Sequence, residues 1–296
     1  MNGASILASG EMYGENGNET SWFVRNAMGV RRVGSVVCAV AVGMAALSAG
    51  AQRLTLHRDA ATVVVEPYAP NIVRVTMSLD EARAMAGPGY GVLAKPQGDG
   101  WTTESGAPGD VLKSPRMVVE VAPQPKPYTR KLPKTTNYFE GSTPHVGLTI
   151  KTAEGEMLLD MQGWEMSVPN YKDGNHEILS ERRPGDDPYY EVGATFAAPK
   201  DEHYYGLGQN QEGYFDRRGH VVRCAHDYNA PGGQSVCVPF VVSNKGYGIL
   251  WDNPSRTTVA FAIGDATKWT SDVGQRASFF VIAGKTYDEI YEGSEC

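Results

Sequence analysis

Short apolar runs, each closed by glycine, proline or polar residues, dominate the chain from residue 61 onward. ATVVVE at 61–66 and IVRVTM at 72–77 are rich in β-branched residues and are separated by Pro67 and Pro70. Runs of this length and composition, broken by turn residues, are typical of strands. Further runs of the same kind lie at 116–121, 146–152, 156–160, 190–196, 236–243, 247–252, 257–263 and 277–283. The pattern predicts an all-β fold, a large antiparallel β-sandwich.

Two details refine this prediction. VCVPFVVS at 236–243 is almost entirely apolar, which predicts a central strand covered on both faces. Only 286–292 has a helical pattern, with Thr286 as N-cap and acidic residues in the first turn, so one short C-terminal helix is expected. Residues 81–109 and 162–187 are predicted to be long loops, the first with one helical turn at 81–85.

The N-terminal region has the pattern of a secretory signal. Arg31 and Arg32 precede an uncharged stretch at 33–47, and Ala49-Gly50-Ala51 is a small-x-small cleavage site. We predict a start at Met28, a signal peptide over 28–51 cleaved after Ala51, and a periplasmic or secreted protein; residues 1–27 are interpreted as an annotation extension. A membrane-anchoring or buried helix is the alternative. A membrane span needs roughly 20 apolar residues, so no stable membrane insertion is expected.

Composition limits the classes of partner and cofactor. The formal net charge is −7, without a block of basic residues, which argues against a nucleic-acid partner. After cleavage three cysteines remain, Cys224, Cys237 and Cys296, too few for a disulfide scaffold. Two buried free thiols are favoured over a Cys224–Cys237 bridge, because two cysteines alone fix no geometry. No C-x-x-C or His/Cys spacing indicates a metal site, and no cofactor is expected.

Glycines, aromatics and paired arginines are concentrated between residues 202 and 256. EHYYGLGQ at 202–209, DRRG at 216–219, SNKGYG at 243–248 and WDNPSR at 251–256 follow one another there. In combination and order these four motifs resemble the N-terminal region of glycoside hydrolase family 31. The resemblance implies a galactose-mutarotase-like β-sandwich, here 52–284, which in that family precedes a (β/α)8 catalytic barrel. Residues 285–296 would begin the linker toward that barrel.

The resemblance also implies a function. The full-length enzyme would be a retaining α-glycosidase that hydrolyses α-glucosidic or α-xylosidic bonds. The catalytic aspartates of the family lie in the barrel, and nothing in this sequence matches their motif, so no catalytic residue is assigned. Retaining hydrolysis needs two carboxyls about 5–5.5 Å apart. We therefore expect the chain to end before the barrel, to be inactive alone, and to have as partners an α-linked oligosaccharide and the barrel, which it would brace.

One loop, at 225–233, corresponds to the family's loop that reaches over the barrel mouth. Asp227 occupies the position of a carboxylate that binds sugar hydroxyls, and His226 and Tyr228 flank it. A carboxylate accepts two hydroxyl hydrogen bonds, and a tyrosine ring offers a stacking face. The three residues are the predicted substrate contacts, in an outer subsite. An ordinary turn with a solvated aspartate is the alternative.

The other motif residues are predicted to be structural. Gly206 and Gly208 would occupy backbone positions closed to a Cβ. Arg217 and Arg218 can bind a sugar or phosphate, but pairing with Asp216 or a backbone carbonyl is favoured. Trp251 is assigned to the core.

Two other functions remain open. One is a free-standing carbohydrate-binding module. The second is a mutarotase-like epimerase, for which His220 and His226 would have to converge with a glutamate in one cleft.

Overall fold

The computed structural model describes residues 53–58, 61–107, 109–123, 146–167, 189–209, 213–224 and 236–294. The predicted extension and signal peptide, and the segment with His226, Asp227 and Tyr228, lie outside the described residues. Within them, antiparallel strands predominate and form two sheets, which confirms the all-β prediction. Neither of the two helices found in the described ranges is long and apolar enough to cross a membrane.

The first sheet has seven strands in the order β1-β2-β3-β16-β13-β12-β10. The bounds are β1 Leu54–Arg58, β2 Ala61–Ala69, β3 Ile72–Ser78, β10 Tyr204–Gly206, β12 Phe240–Ser243, β13 Tyr247–Trp251 and β16 Ala277–Ala283. Every neighbouring pair is antiparallel. Strand β10 therefore forms one edge of this sheet.

The second sheet has nine strands in the order β11-β14-β15-β9-β8-β7-β6-β5-β4. The bounds are β4 Thr102–Gly106, β5 Gly109–Lys113, β6 Met117–Val121, β7 Leu148–Thr152, β8 Met157–Ser167, β9 Tyr190–Ala197, β11 Val221–Cys224, β14 Thr257–Ile263 and β15 Ala266–Gly274. Strand β11 forms one edge of this sheet and pairs with β14.

The main core contains side chains from both sheets. Trp251 and Phe279 from the first sheet and Trp269 from the second are at most 1% exposed. The indole rings of Trp251 and Trp269 stack with centroids 5.5 Å apart, and Trp251 Nε1 donates to Ser271 Oγ over 2.8 Å. Burying a large apolar side chain contributes about 1.5–3 kcal/mol, so this aromatic stack is a major part of the core. Trp251 is a core residue, as predicted.

The outer face of the seven-stranded sheet is also covered. Helix α1 (Glu81–Met85) and helix α2 (Tyr287–Ser294) lie beside it, and Ile290 of α2 packs with Phe240 and Phe280 in a second apolar cluster. The N-cap of α2 is Thr286, whose Oγ1 accepts from the Glu289 N–H, as predicted. This cover explains why all seven residues of β3 are buried, the polar Arg74 and Thr76 included.

Burial of β3 places an arginine inside the protein. Arg74 is fully buried; its guanidinium donates to Glu66 Oε2 over 2.9 Å and lies 3.3 Å from Asp252 Oδ2. It also donates to the carbonyl of Ala86, just after α1. Arg276 donates to the same carbonyl over 2.8 Å. The ion pairs thus neutralise the buried charge of Arg74, and the hydrogen bonds to the Ala86 carbonyl fix the end of α1 against the sheet.

Several of the predicted strand boundaries were wrong. Strand β2 continues through Pro67, and its register with β3 shifts between Pro67 and Ala69, which accommodates the missing N–H. Strands β4 and β5 lie in or next to the predicted 81–109 loop, and β8 extends to Ser167, into the predicted 162–187 loop. The α1 boundaries agree with the predicted helical turn.

Only the second half of the apolar run at 236–243 forms a strand. Regular pairing begins at Phe240, the residue after Pro239, and all four residues of β12 are buried, as predicted. Before Pro239, Val236 and Val238 are 44% and 48% exposed. A proline cannot donate to the ladder, so the strand starts after it and the preceding valines face outward.

Candidate functional site

The candidate site lies where the sheet edges β10 and β11 are joined by residues 213–220. The Arg217 N–H donates to the Tyr204 carbonyl of β10 over 2.8 Å. The Gly219 N–H donates to the Phe261 carbonyl of β14 over 2.8 Å. One segment therefore contacts both sheets. We call this region, residues 202–209, 213–224 and 236–239, the joined edge.

The EHYYGLGQ motif forms the sharp turn at the end of β10. Gly206, Leu207 and Gly208 all have positive φ, at 130°, 65° and 72°. A Cβ on Gly208 would lie 2.8 Å from the Val238 nitrogen and closer still to the Val236 carbonyl oxygen. A Cβ on Gly206 would lie 3.1 Å from Val241 Cα. Both glycines occupy positions closed to a side chain, which confirms the prediction.

A buried carboxylate anchors the start of this motif. Glu202 is 2% exposed, and its Oε1 accepts from Ser243 Oγ over 2.7 Å and from the Tyr247 hydroxyl over 2.5 Å. Burial and the charge of Glu202 raise the pKa of Tyr247 well above its ordinary value, so the phenol stays a donor. Arg218 Nη1 donates to the carbonyls of Pro199 and Glu202, each over 2.8 Å. Glu202 Oε1 thus accepts two hydrogen bonds from hydroxyls within the fold.

The DRRG motif is bound to the backbone in the same way. Asp216 accepts from the N–H groups of Arg218 and Tyr204 over 3.0 and 3.2 Å, and its Oδ2 lies 2.6 Å from His203 Nδ1. Partial burial of Asp216 opposes its ionisation, but these hydrogen bonds outweigh burial and hold its pKa below the ordinary value. Asp216 therefore stays ionised and fixed.

Arg217 points into the protein. It is 5% exposed, its Nε donates to the Gly206 carbonyl over 3.3 Å, and its Nη1 has no hydrogen-bond partner among the described residues. Arg217 and Arg218 thus bind backbone carbonyls, the alternative that the sequence favoured over sugar or phosphate binding.

A disulfide closes the joined edge. Cys224 at the end of β11 is bonded to Cys237, with the two Cα atoms 5.1 Å apart, inside the range that disulfides require. The preferred prediction of two free thiols was wrong. The spacing of two cysteines carries no geometry; the fold brings them together because Val236 pairs with Gln209 through two backbone bonds of 2.9 and 3.0 Å.

The predicted substrate contacts lie between these two cysteines. Asp227, His226 and Tyr228 fall in residues 225–235, outside the described residues, so their roles stay predictions. Their segment begins after Cys224 and ends before Val236, two positions that the structure fixes. His220, the second histidine of the mutarotase alternative, stacks on the Tyr214 ring with centroids 3.8 Å apart.

An aromatic patch that the sequence did not predict lies beside the joined edge. Tyr205 of β10 is 5.0 Å from the Phe215 ring and 6.0 Å from the Tyr287 ring of α2, measured between centroids. Phe215 is 83% exposed and Tyr287 46%. These three residues form the aromatic patch; Tyr287 comes from the C-terminal helix, far along the sequence from Tyr205 and Phe215, so local pattern did not predict their contact. In the described ranges, no group of three or more His, Cys, Asp or Glu side chains could hold a metal ion.

The architecture and the motifs together define the class of protein: a two-sheet antiparallel sandwich whose EHYYGLGQ and DRRG motifs lie at one edge. Residues 62–259 match the sequence profile of the glycosyl hydrolase 31 N-terminal galactose mutarotase-like domain. The chain belongs to this family, as its motifs predicted.

Comparisons with individual proteins agree with this family assignment. An uncharacterised family 31 glucosidase of Pseudescherichia vulneris is 35% identical over 101 residues, which cover 34% of this chain and 18% of that protein. An α-xylosidase of Saccharolobus solfataricus is 27% identical over 161 residues, covering 51% of this chain and 20% of that protein. The chain thus matches about a fifth of the length of these curated relatives.

Solved structures share the fold. The family 31 α-xylosidase of Xanthomonas citri superposes with a TM-score of 0.59 at 14% identity, over 81% of this chain and 39% of that one. A family 31 α-xylosidase from a soil metagenome, complexed with xylose, gives 0.57 at 21% identity, over 80% and 32%. At these identities the likeness concerns the fold alone.

Proposed function

We propose that the chain is the non-catalytic N-terminal domain of a retaining α-glycosidase and that its 225–235 segment forms part of an outer substrate subsite. The full-length enzyme would hydrolyse α-glucosidic or α-xylosidic bonds. The observation that carries the proposal is the joined edge, which presents the two ends of the Asp227 segment from a rigid frame. Catalytic and binding groups work best on segments held by such a frame.

The chemistry of the joined edge supports a non-catalytic role. Its buried carboxylate, Glu202, accepts from Ser243 and Tyr247, and Asp216 is bound by two N–H groups and His203. Both carboxylates are used within the fold, and Glu202 is only 2% exposed, whereas retaining hydrolysis requires two carboxyls that reach the scissile bond. The catalytic pair would come from the (β/α)8 barrel of the full-length enzyme.

Within the subsite, Asp227 would accept hydrogen bonds from sugar hydroxyls. Tyr228 would stack on a pyranose face, and His226 would add one further hydrogen bond. The aromatic patch supports the bracing role: three rings, one of them 83% exposed, offer an apolar surface on which the barrel would pack.

The signal-like N-terminus supports a periplasmic or secreted location. The Cys224–Cys237 bond supports the same proposal, because disulfides persist in oxidising compartments.

Calorimetry with maltotriose and with isoprimeverose tests the subsite. We expect Asp227→Asn to weaken binding of one of these α-linked sugars, and the chain alone to release no nitrophenol from nitrophenyl α-glucoside or α-xyloside. Equal binding by the wild type and Asp227→Asn would refute the subsite, and turnover by the purified chain would refute the non-catalytic role.

The aromatic patch also favours a second candidate, a free-standing carbohydrate-binding module. Rings that pack a barrel and rings that stack on sugar differ in one measurable way. If the chain is such a module, Phe215→Ser abolishes oligosaccharide binding while Asp227→Asn leaves it unchanged. If the barrel covers the patch, Phe215→Ser leaves sugar binding unchanged and reduces self-association of the isolated chain.

A further inference from the structure

The loop after α1 is held at both ends on the outer face of the seven-stranded sheet. At its start the Gly89 N–H donates to Asp252 Oδ1 over 2.9 Å, and near its end the Gln97 N–H donates to the Pro67 carbonyl over 2.8 Å. We call residues 89–97 the strap. Because both of its ends are bound to the sheet or to the residue after a strand, the side chains of the strap are presented from fixed positions.

The strap holds two large apolar side chains in solvent. Exposure alternates along 91–97, so that Val92 and Ala94 pack on the second apolar cluster while the residues between them face outward. Leu93 is 89% exposed, and Tyr90 is fully exposed. Single exposed apolar residues are common on soluble proteins, but two on one anchored segment favour a contact with another protein surface.

An apolar cavity opens beside these side chains, between the strap, the sheet and the end of α2. Its volume is about 370 Å³, counted to the open mouth. The lining includes Val92 and Ala94 of the strap, Leu250, Phe280 and Ile282 of the sheet, and Gly293 of α2. Because Ala94 and Gly293 are small, the chain leaves this space unfilled, and a branched apolar side chain from outside would gain dispersion contacts by entering it.

The charges around the cavity are of opposite sign on its two sides. Lys95 of the strap is exposed, and Asp288 and Glu292 of α2 are exposed as well. Across the described ranges none of these three side chains forms an ion pair. Glu292 directly precedes Gly293, which lines the cavity. The strap is therefore basic where the α2 side of the cavity is acidic.

A protruding leucine, a cavity and opposite charges thus lie side by side on one face. Such a face is complementary to a second copy of itself, which is the condition for an isologous contact about a two-fold axis. A partner of another kind would have to carry the same combination of apolar side chain and charge. The second copy carries it already, so it is the occupant that the observed surface favours.

We propose that the strap and the C-terminal half of α2 form a homodimer contact. About the two-fold axis, Leu93 of each copy enters the cavity of the other copy, and Lys95 of each copy meets Glu292 of the other. A contact built from one loop and one short helix is small, so the dimer is a weak one. The inference does not rest on the proposed function, because none of these residues belongs to the joined edge.

Sedimentation equilibrium over a range of concentrations tests the contact. All measurements use the Phe215→Ser chain as the reference, so that association through the aromatic patch does not contribute. We expect Leu93→Asp to raise the Kd of the dimer about tenfold or more, because a buried leucine is lost and a charge faces the cavity. Val221→Asp is the matched control: Val221 is 59% exposed but lies on β11 of the other sheet, and its substitution should leave the Kd unchanged.

A charge exchange tests how the two copies are arranged. Lys95→Glu should raise the Kd about fivefold, and Lys95→Glu/Glu292→Lys should return it toward the reference value. Circular dichroism melting shows that every variant is folded. A reference chain that stays monomeric at about 1 mM would overturn the proposal, as would a dimer that Leu93→Asp does not weaken. Failure of the double exchange to restore the Kd would overturn the pairing of the strap with α2.

Discussion

Replacing Gly208 by alanine tests whether the joined edge depends on close backbone packing. Gly208 has φ at 72°, and an L residue in that region costs about 1–2 kcal/mol. A Cβ there would also lie 2.8 Å from the backbone nitrogen of Val238. Backbone atoms cannot rotate away as a side chain would, so this overpacking adds about 1–3 kcal/mol. The expected total loss of unfolding free energy is about 2–5 kcal/mol.

Gly219 provides a matched control. Its φ is 82°, and a Cβ there would meet nothing within 4 Å. Gly219→Ala therefore carries the cost of the positive φ without the contact, about 1–2 kcal/mol. Both substitutions restrict the unfolded chain equally, so their difference isolates the contact at Gly208.

Equilibrium urea unfolding of both variants measures this difference. In thermal unfolding of a domain of this size, a loss of 1 kcal/mol in unfolding free energy lowers Tm by about 2–4 °C. Gly208→Ala should therefore melt several degrees below Gly219→Ala. Equal midpoints, with equal slopes in urea, would show that the turn relaxes freely and that the joined edge is not rigid.

Three further substitutions, with Arg116→Gln as a control for the first, test the buried and titrating groups. Glu66→Gln leaves Arg74 without one buried partner and should cost about 3 kcal/mol in urea unfolding, whereas Arg116→Gln, at an exposed ion pair, should cost less than about 1 kcal/mol. Because the pKa of Asp216 is lowered in the folded state, its charge stabilises the fold above its ordinary pKa; the wild-type advantage over Asp216→Asn should shrink as pH falls below about 4 and disappear only below the lowered pKa of the folded state. Burial and the neighbouring Glu165 raise the pKa of Glu191, which penalises its charge, so Glu191→Gln should be more stable than wild type at pH 7 and equal to it below about pH 4 in pH-dependent unfolding.

The strands that sequence predicted well share one property: their apolar residues face the core. Strand β16 is wholly buried, and its run ASFFVIA is recognisable without a partner. Strand β4, TTESG, is wholly exposed at a sheet edge, so its conformation comes from pairing with β5 and not from its own pattern. Strand β15, ATKWTSDVG, is mixed in character and is fixed by β14 on one side and β9 on the other.

For the site, sequence predicted backbone geometry better than contacts between distant residues. The glycines of YGLG predicted positions closed to a Cβ, and both have the positive φ that few other residues adopt. The Cys224–Cys237 bond and the aromatic patch depend on which sheet edges meet, and no local pattern encodes that. The burial of Arg74 was missed for the same reason, since it depends on α1 and the loop after it covering β3.

The density of polar residues around YGLG follows from the turn itself. Successive positive φ values lead the chain out of the β10–β12 ladder, so each backbone group leaving the sheet needs another partner. The Leu207 and Gln209 N–H groups donate to the carbonyls of Phe240 and Val236, each over 2.9 Å, and the Gly206 carbonyl accepts from Arg217. Arg217 therefore supplies a hydrogen bond that no strand can supply. The motif residues that make these hydrogen bonds are used within the fold, which is why the proposed sugar contacts are assigned to Asp227 and its neighbours rather than to YGLG or Arg217.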